Sequence, residues 1–347
     1  MVQGEEVVKA SGLVYVTDAM PGIYRIGKPG KFHYEDKKGQ KITDEKHLSR
    51  IKSLVIPPAW QQVWISNKPN GYLQVTGIDA AGRKQYKYHP KWTSRRSEDK
   101  YFRLLEFGKA LPEARKRLEK DLKRKELDER KVLAISVDVL QKTLIRVGNE
   151  SYKQLYGSFG LTTLRDKHVK INGSKITMDF IGKKGVKQSI ELNDRNLAKL
   201  VKKCRDIPGQ ELFQFYTNGK EHRGIDSGKI NNYIKEITGN DFTAKDFRTW
   251  GGTLEALRQF AKCSVDQHLP INSKKTIVNV LDCVAKKLGN TRAVCKSSYV
   301  YPLLLTAYEK DELVNYLKKM NNKKTVGKLG LEHDEKVLLS FLKTTNK

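Results

Sequence analysis

Over the first ninety or so residues the apolar positions come in short bursts separated by turn residues. Residues 22–27 and 31–34 read as strands. Ile56-Pro57-Pro58-Ala59-Trp60 leads into another at 62–65. Residues 72–79 and 83–89 alternate apolar with polar and are joined by Ala80-Ala81-Gly82, the signal of a hairpin. A helix is expected at residues 44–54. From about Ser94 the period changes, and helical patterns start near Tyr101. Leu133, Val137, Leu140, Leu144 and Val147 recur at steps of four and three, which predicts one amphipathic helix over residues 131–147 with Arg146 at its end. Between Lys167 and Leu192 the period shortens to two. Three strands, at 169–171, 176–181 and 186–192, are linked by Asn172-Gly173 and by a turn at 182–185, giving a three-stranded antiparallel sheet inside a helical region. Helices resume after Asp194. Thr243-Ala244-Lys245-Asp246 has the form of a capping box, and the helix it opens carries the stripe Trp250, Leu254, Leu257, Ala261. Ser273 is placed to cap a helix with Ile277, Leu281, Val284 and Leu288 inward and Gly289 as its C′ residue. A short segment then runs to Tyr299, Pro302 opens the next helix, and a basic linker beginning Asn321-Asn322-Lys323-Lys324 precedes a last small one.

These elements define an α+β chain with a small β-rich N-terminal domain over residues 1–92. A larger, mainly α-helical domain over residues 94–347 contains the small sheet. The length of 347 residues suits two domains with ordinary cores. Charge narrows the class of partner. Lysine and arginine outnumber aspartate and glutamate 67 to 39, a formal excess of +28 that calls for a polyanion against it. Double-stranded DNA is the expected partner, because neutralising phosphates releases counterions. An anionic membrane is disfavoured. The basic residues are spread over the chain, no apolar run spans a bilayer, and no secretory signal opens the sequence. The four cysteines, Cys204, Cys263, Cys283 and Cys295, form no C-x-x-C pair and lie at no zinc-ligand spacing from a histidine, so reduced thiols in a cytoplasmic or nucleoid protein are expected.

Four segments hold a set of groups suited to phosphoryl chemistry. Ile145-Arg146-Val147-Gly148-Asn149-Glu150-Ser151-Tyr152 supplies one arginine. Phe180-Ile181-Gly182-Lys183-Lys184-Gly185 places lysines in a tight turn. Lys245-Asp246-Phe247-Arg248-Thr249-Trp250-Gly251-Gly252-Thr253 puts a second arginine early in a helix. Leu288-Gly289-Asn290-Thr291 is followed by Lys296-Ser297-Ser298-Tyr299-Val300-Tyr301-Pro302. A tyrosine can attack phosphorus and hold the bond energy as an ester. Arginines can take charge on the non-bridging oxygens, and a lysine can protonate the leaving oxygen.

In this order and spacing, together with Pro57-Pro58-Ala59-Trp60 and Gln85-Tyr86-Lys87-Tyr88 near the front, the segments closely resemble the poxvirus-like and bacterial type IB DNA topoisomerases. They resemble the tyrosine recombinases more distantly. The resemblance covers nearly the whole chain. It implies a two-lobed clamp around duplex DNA, acting as a monomer with no metal, cofactor or ATP. It implies that Tyr299 is the nucleophile, forming a 3′-phosphotyrosyl ester and expelling the 5′-hydroxyl so that the free end rotates before religation. Arg146 and Arg248 match the arginines on the non-bridging oxygens, with Arg146 often also assigned to proton transfer. Lys183 matches the general acid. Asn290 stands where the viral enzymes have histidine and bacterial members have asparagine; it can donate a hydrogen bond to a phosphoryl oxygen but carries no charge. Lys245 matches a lysine linked to the same phosphate. Gln85, Tyr86 and Tyr88 resemble a groove-lying strand, and Tyr152 a phosphate-contacting tyrosine.

Composition alone gives any one arginine of so basic a chain a small chance of a catalytic role. Lys184 and Lys187 compete with Lys183, and Tyr301 with Tyr299. Tyr86 and Tyr88 have a packed strand face as their alternative. His168 and His222 read as structural or DNA-contacting, and Trp60, Trp64, Trp92 and Trp250 as core. Two other functions compete with the first. A tyrosine recombinase would share the chemistry but assemble as a tetramer, and the β-rich front argues against it. An inert, basic DNA-packaging protein would have no use for Arg146, Lys183, Arg248 and Tyr299 together.

Overall fold

The computed structural model describes residues 8–9, 11–80, 82, 84–217, 221–265, 274–321 and 330–345, and of residues 93–102 and 265 the backbone alone. The chain divides into two compact units, Met1–Tyr101 and Phe102–Lys347.

The first unit is built on a five-stranded antiparallel sheet in the order β2-β1-β3-β4-β5. The strands are β1 (Gly22–Lys28), β2 (Lys31–Glu35), β3 (Gln61–Ser66), β4 (Leu73–Ile78) and β5 (Lys84–Tyr88). Alternation along β3 explains its two faces. Val63 and Ile65 turn to one side, where they meet Ile23, Val75 and Ile51 of helix α1 (Glu45–Ser53). Trp64 turns to the other, against Val16 and Leu73. Asp44 caps α1 by accepting from the His47 backbone N–H at 2.9 Å, so the helix expected at residues 44–54 starts one residue later. The β4–β5 hairpin forms as expected, with Gly82 at φ +72° in the connection; residue 81 lies outside the described residues.

Helix α2 (Pro90–Leu122) begins eleven residues before the expected start at Tyr101. Proline is at home in a first helical turn, and the basic stretch after it lacks the apolar period that would have marked a helix. The second unit is mainly helical. Its centre is α3 (Glu129–Thr143), capped by Asp128 and buried along most of its length. It packs against α5 (Arg195–Arg205), α6 (Ser227–Thr238), α7 (Ala244–Val265), β8 (Lys187–Asn193) and β9 (Gln214–Tyr216). The second sheet, in the order β6-β7-β8, joins β6 (Val169–Asn172) and β7 (Lys175–Ile181) to β8 as the predicted three-stranded antiparallel sheet. The short hairpin of β9 with β10 (His222–Gly224) has strands of three residues, too brief to leave a period in the sequence.

The predicted helix over residues 131–147 is corrected. It stops at Thr143, and Leu144 turns left-handed at φ 57°, ψ 24°. Leu144 and Ile145 are buried all the same, so a loop beyond the helix carries on its apolar face, and Val147 is half-buried. Arg146 therefore projects from a loop. Trp250, Leu254, Leu257 and Ala261 are buried along α7, and Ile277, Leu281, Val284 and Leu288 along α8 (Lys274–Leu288). Ser273 lies outside the described residues. The segment before Tyr299 is a short helix, α9 (Arg292–Ser298), capped by Thr291. Pro302 opens α10 (Pro302–Glu309), followed by α11 (Val314–Asn321) and α12 (His333–Thr345); Asn322, Lys323 and Lys324 of the expected linker lie outside the described residues. Glu335 of α12 receives Arg115 through both carboxylate oxygens and the Trp250 indole N–H at 3.1 Å, which ties α2, α7 and α12 together. Of the expected core tryptophans, Trp64 and Trp250 are buried, whereas Trp60 and Trp92 are half-buried. No helix of the described residues is long and apolar enough to cross a membrane.

Candidate active site

Arg146 leaves the loop after α3 and reaches the end of α8. Its two Nη atoms each donate to the Gly289 carbonyl at 3.1 Å, and Nη2 also donates to Asn290 Oδ1. That contact settles which way the Asn290 amide faces. Oδ1 is held by the guanidinium, so Nδ2 is left as a buried donor with no partner among the described residues. Burial and the neighbouring Arg248 guanidinium both lower the pKa of Arg146.

Arg248, one turn into α7, is only 4% exposed. Nη1 donates to the Leu144 carbonyl, Nη2 donates to the Leu288 carbonyl at 3.0 Å, and Nε is buried with no partner among the described residues. One guanidinium thus bonds the ends of α3 and α8 and keeps a donor in reserve. Its Cζ lies 5.1 Å from the centre of the Tyr299 ring.

Tyr299 terminates α9, and its N–H donates to the Cys295 carbonyl at 3.0 Å. Its own carbonyl accepts from Thr253 Oγ1 at 3.1 Å, and the same hydroxyl accepts from the Tyr301 N–H at 3.2 Å. A Cβ on Gly252 would lie 3.0 Å from the Tyr299 carbonyl oxygen and 3.2 Å from its Cβ, so the absence of a side chain there lets α7 and Tyr299 approach. Cys295 is buried beside the two arginines, and burial pushes its thiol up to about 11. The competing Tyr301 is 3% exposed, and its hydroxyl meets Thr345 Oγ1 at 3.2 Å.

Lys183 is exposed in the turn between β7 and β8, which closes through Gly182 N–H to the Val186 carbonyl at 2.8 Å. Lys184 takes the left-handed conformation at φ 63°. A hollow of about 10 Å³ is lined by Lys183, Arg146, Arg248, Leu288 and Gln188. The fold therefore brings Arg146, Lys183, Arg248, Asn290 and Tyr299 from four segments to one place.

The expected DNA-binding residues are spread more widely. Lys245 is exposed on the first turn of α7, one turn before Arg248. Tyr152 is exposed on α4 (Glu150–Tyr156), its ring 5.7 Å from that of Tyr156. In the first unit, Gln85 donates to Asp79 Oδ2 at 2.9 Å. Tyr86 and Tyr88 are exposed on one face of β5 with rings 6.2 Å apart and nearly parallel, so they are not a packed strand face. His168 Nδ1 accepts from the Arg165 N–H at 3.1 Å and its ring edge meets Phe159, while His222 is exposed on β10.

Sequence reasoning passed over Thr253 and Gln188. A threonine among the small residues of Gly251-Gly252-Thr253 gives little sign of holding the carbonyl of a tyrosine 46 residues away and the Tyr301 N–H just beyond it. Thr253→Val keeps the shape and removes the hydroxyl, leaving two backbone groups short of a partner. It is expected to cost about 1–3 kcal/mol of stability in urea unfolding. It is also expected to slow single-turnover DNA cleavage about tenfold by loosening Tyr299. An unchanged cleavage rate would show that Thr253 serves folding alone.

Comparison with known proteins gives the class. Residues 89–325 match the family of the eukaryotic DNA topoisomerase I catalytic core, and residues 31–79 match the N-terminal domain of bacterial DNA topoisomerase IB. The chain belongs to the type IB DNA topoisomerase family. It is 32% identical over 297 residues to DNA topoisomerase 1B of Acanthamoeba polyphaga mimivirus, a match that spans 84% of this chain and 88% of that one. DNA topoisomerase 1B of Vaccinia virus (strain Copenhagen) is 26% identical over 235 residues, covering 67% of this chain and 71% of its own. DNA topoisomerase 1 of Rabbit fibroma virus (strain Kasza) is 24% identical over 309 residues, covering 84% and 91%.

Proposed function

We propose that this chain relaxes supercoiled DNA by reversible transesterification at Tyr299. The phenolic oxygen attacks a backbone phosphorus and gives its proton to water. The Tyr299 Oη–P bond forms as the P–O5′ bond breaks, and Lys183 supplies the proton that O5′ needs to leave as a hydroxyl. The product is a 3′-phosphotyrosyl ester. Because the ester keeps the bond energy, the reverse attack by the 5′-hydroxyl reseals the strand without ATP.

The observation that carries this reading is the pair of unsatisfied donors. Arg248 Nε and Asn290 Nδ2 are buried without a partner among the described residues. A buried donor left unpaired costs about 1–3 kcal/mol, so such groups need a ligand to repay their burial. A phosphoryl oxygen beside Tyr299 meets that need, and Arg146 adds a second guanidinium on the same side. The two guanidinium groups supply the charge compensation that a divalent ion gives elsewhere, which is the ground for proposing that no metal is needed. Lys245 then contacts the same phosphate and Tyr152 another, and Gln85, Tyr86 and Tyr88 approach the bases in a groove. The protein acts as a monomer.

The test is relaxation of positively and of negatively supercoiled plasmid in EDTA without ATP. Both are expected to relax to completion. No relaxation at low salt with ample enzyme would overturn the reading in favour of an inert DNA binder or a recombinase.

A further inference from the structure

Along β8 the residues that turn inward are Gln188, Ile190 and Leu192, alternating with exposed Lys187, Ser189, Glu191 and Asn193. An amide in that apolar row is out of pattern. Both ends of the side chain meet a glycine. A Cβ on Gly182 would lie 2.9 Å from Gln188 Cγ. A Cβ on Gly289 would lie 2.2 Å from Gln188 Oε1 and 2.8 Å from both Cδ and Nε2. The stem therefore lies against one bare backbone and the amide against another, at positions where no larger residue could stand without displacing it.

Those two glycines belong to the two turns of the candidate site. Gly182 precedes Lys183 and opens its turn, while Gly289 precedes Asn290 and offers its carbonyl to both Nη atoms of Arg146. The turn around Lys183 closes on itself, through Gly182 to Val186 and Gly185 to Gly182. Gln188 reaches across from it to the end of α8. Its own hydrogen bond is a long one, from Nε2 to the Lys187 carbonyl at 3.3 Å, so contact sets its place more than bonding does.

We infer that Gln188 is a positioning residue, a spacer that sets the separation between the Lys183 turn and the Gly289-Asn290 turn and so holds the Lys183 ammonium at the leaving O5′. The inference rests on the reading of Lys183 as proton donor. Its role is separable from a general effect on folding or phosphate binding, because only the protonation step depends on Lys183. A substrate in which sulfur replaces the bridging O5′ has a thiolate leaving group, far less basic than an alkoxide, which departs without a proton.

Single-turnover cleavage is measured on matched oxygen and 5′-bridging sulfur substrates for the wild type and for Lys183→Ala, Gln188→Ala and Gln188→Met. Lys183→Ala is expected to be slow on oxygen and near the wild-type rate on sulfur. Gln188→Ala is expected to be about tenfold slow on oxygen, the scale of a small misplacement of a catalytic group, and within about twofold of wild type on sulfur. Gln188→Met keeps the stem and most of the volume and is expected to recover most of the oxygen rate, which also provides a reading should the alanine variant fold poorly. The spacer role is overturned if Gln188→Ala cleaves the oxygen substrate at the wild-type rate, if it slows both substrates equally, or if methionine restores nothing. A Lys183→Ala variant that stays slow on sulfur overturns the proton-donor reading itself, and the role of Gln188 with it.

Discussion

Tyr299→Phe is expected to abolish covalent capture of DNA while leaving duplex affinity nearly unchanged. On the proposed mechanism the phenol oxygen becomes the ester, and no neighbouring group can stand in for it. Tyr301, two residues on, is buried, with its hydroxyl on Thr345 Oγ1 at 3.2 Å and its N–H on Thr253. It cannot turn toward the arginines without unpacking α12. Affinity is expected to persist because phosphate contacts spread over a chain of charge +28 dominate binding. The check is denaturing electrophoresis of an end-labelled duplex, beside filter binding of the same variant. Tyr301→Phe is the control. It should cleave at close to the wild-type rate and lose about 1 kcal/mol of stability with its hydrogen bond. Covalent capture by Tyr299→Phe, or its loss in Tyr301→Phe at intact stability, would move the nucleophile to Tyr301.

Arg248→Ala is expected to lose both rate and stability, and the two losses have separate causes. The guanidinium donates to the Leu144 and Leu288 carbonyls from a site 4% exposed, and removing it strands both acceptors. A stability loss of about 2 kcal/mol or more follows, measurable by urea unfolding. The Nε donor is lost as well. Removing one preorganised donor from a developing oxyanion costs about 10²–10³ in rate. The loss here should reach the upper end, because the ends of α3 and α8 are released together. Arg248→Lys is expected to cleave almost as slowly as the alanine variant. An ammonium is a compact point charge and cannot reach two carbonyls and a phosphoryl oxygen at once. If Arg248→Ala lost stability but kept its cleavage rate, Arg248 would be a structural clamp and Arg146 would carry the phosphate alone.

How much could be read from the chain depended on whether a residue acts through local pattern or through distant packing. The β4–β5 hairpin, the three-stranded sheet, Asp44, Asp194 and Pro302 were legible because turns, caps and alternation are local. The end of α3 was not. Leu144 and Ile145 stay buried beyond the last helical turn, so apolar residues continued after the helix had stopped. The catalytic candidates were legible as residue types in a family order, and their convergence needed the fold. Arg146 meets Gly289 across 143 positions and Arg248 meets Leu144 across 104. Gln188 did leave a sign, a polar residue in the inward row of β8. The meaning of that sign depended on Gly289, which lies in a different element.

Thr253 holds Tyr299 by its carbonyl, and Arg248 couples two helix ends beside it. A molecule caught midway through synthesis, or with one helix locally frayed, lacks some of these attachments and cannot cut. Before cleavage such fraying is harmless. Once the ester has formed it is not, because the same loss of geometry would strand the protein on a broken strand. On the proposed mechanism the attachments of Tyr299 therefore matter most while the nick is open, for resealing as much as for cutting.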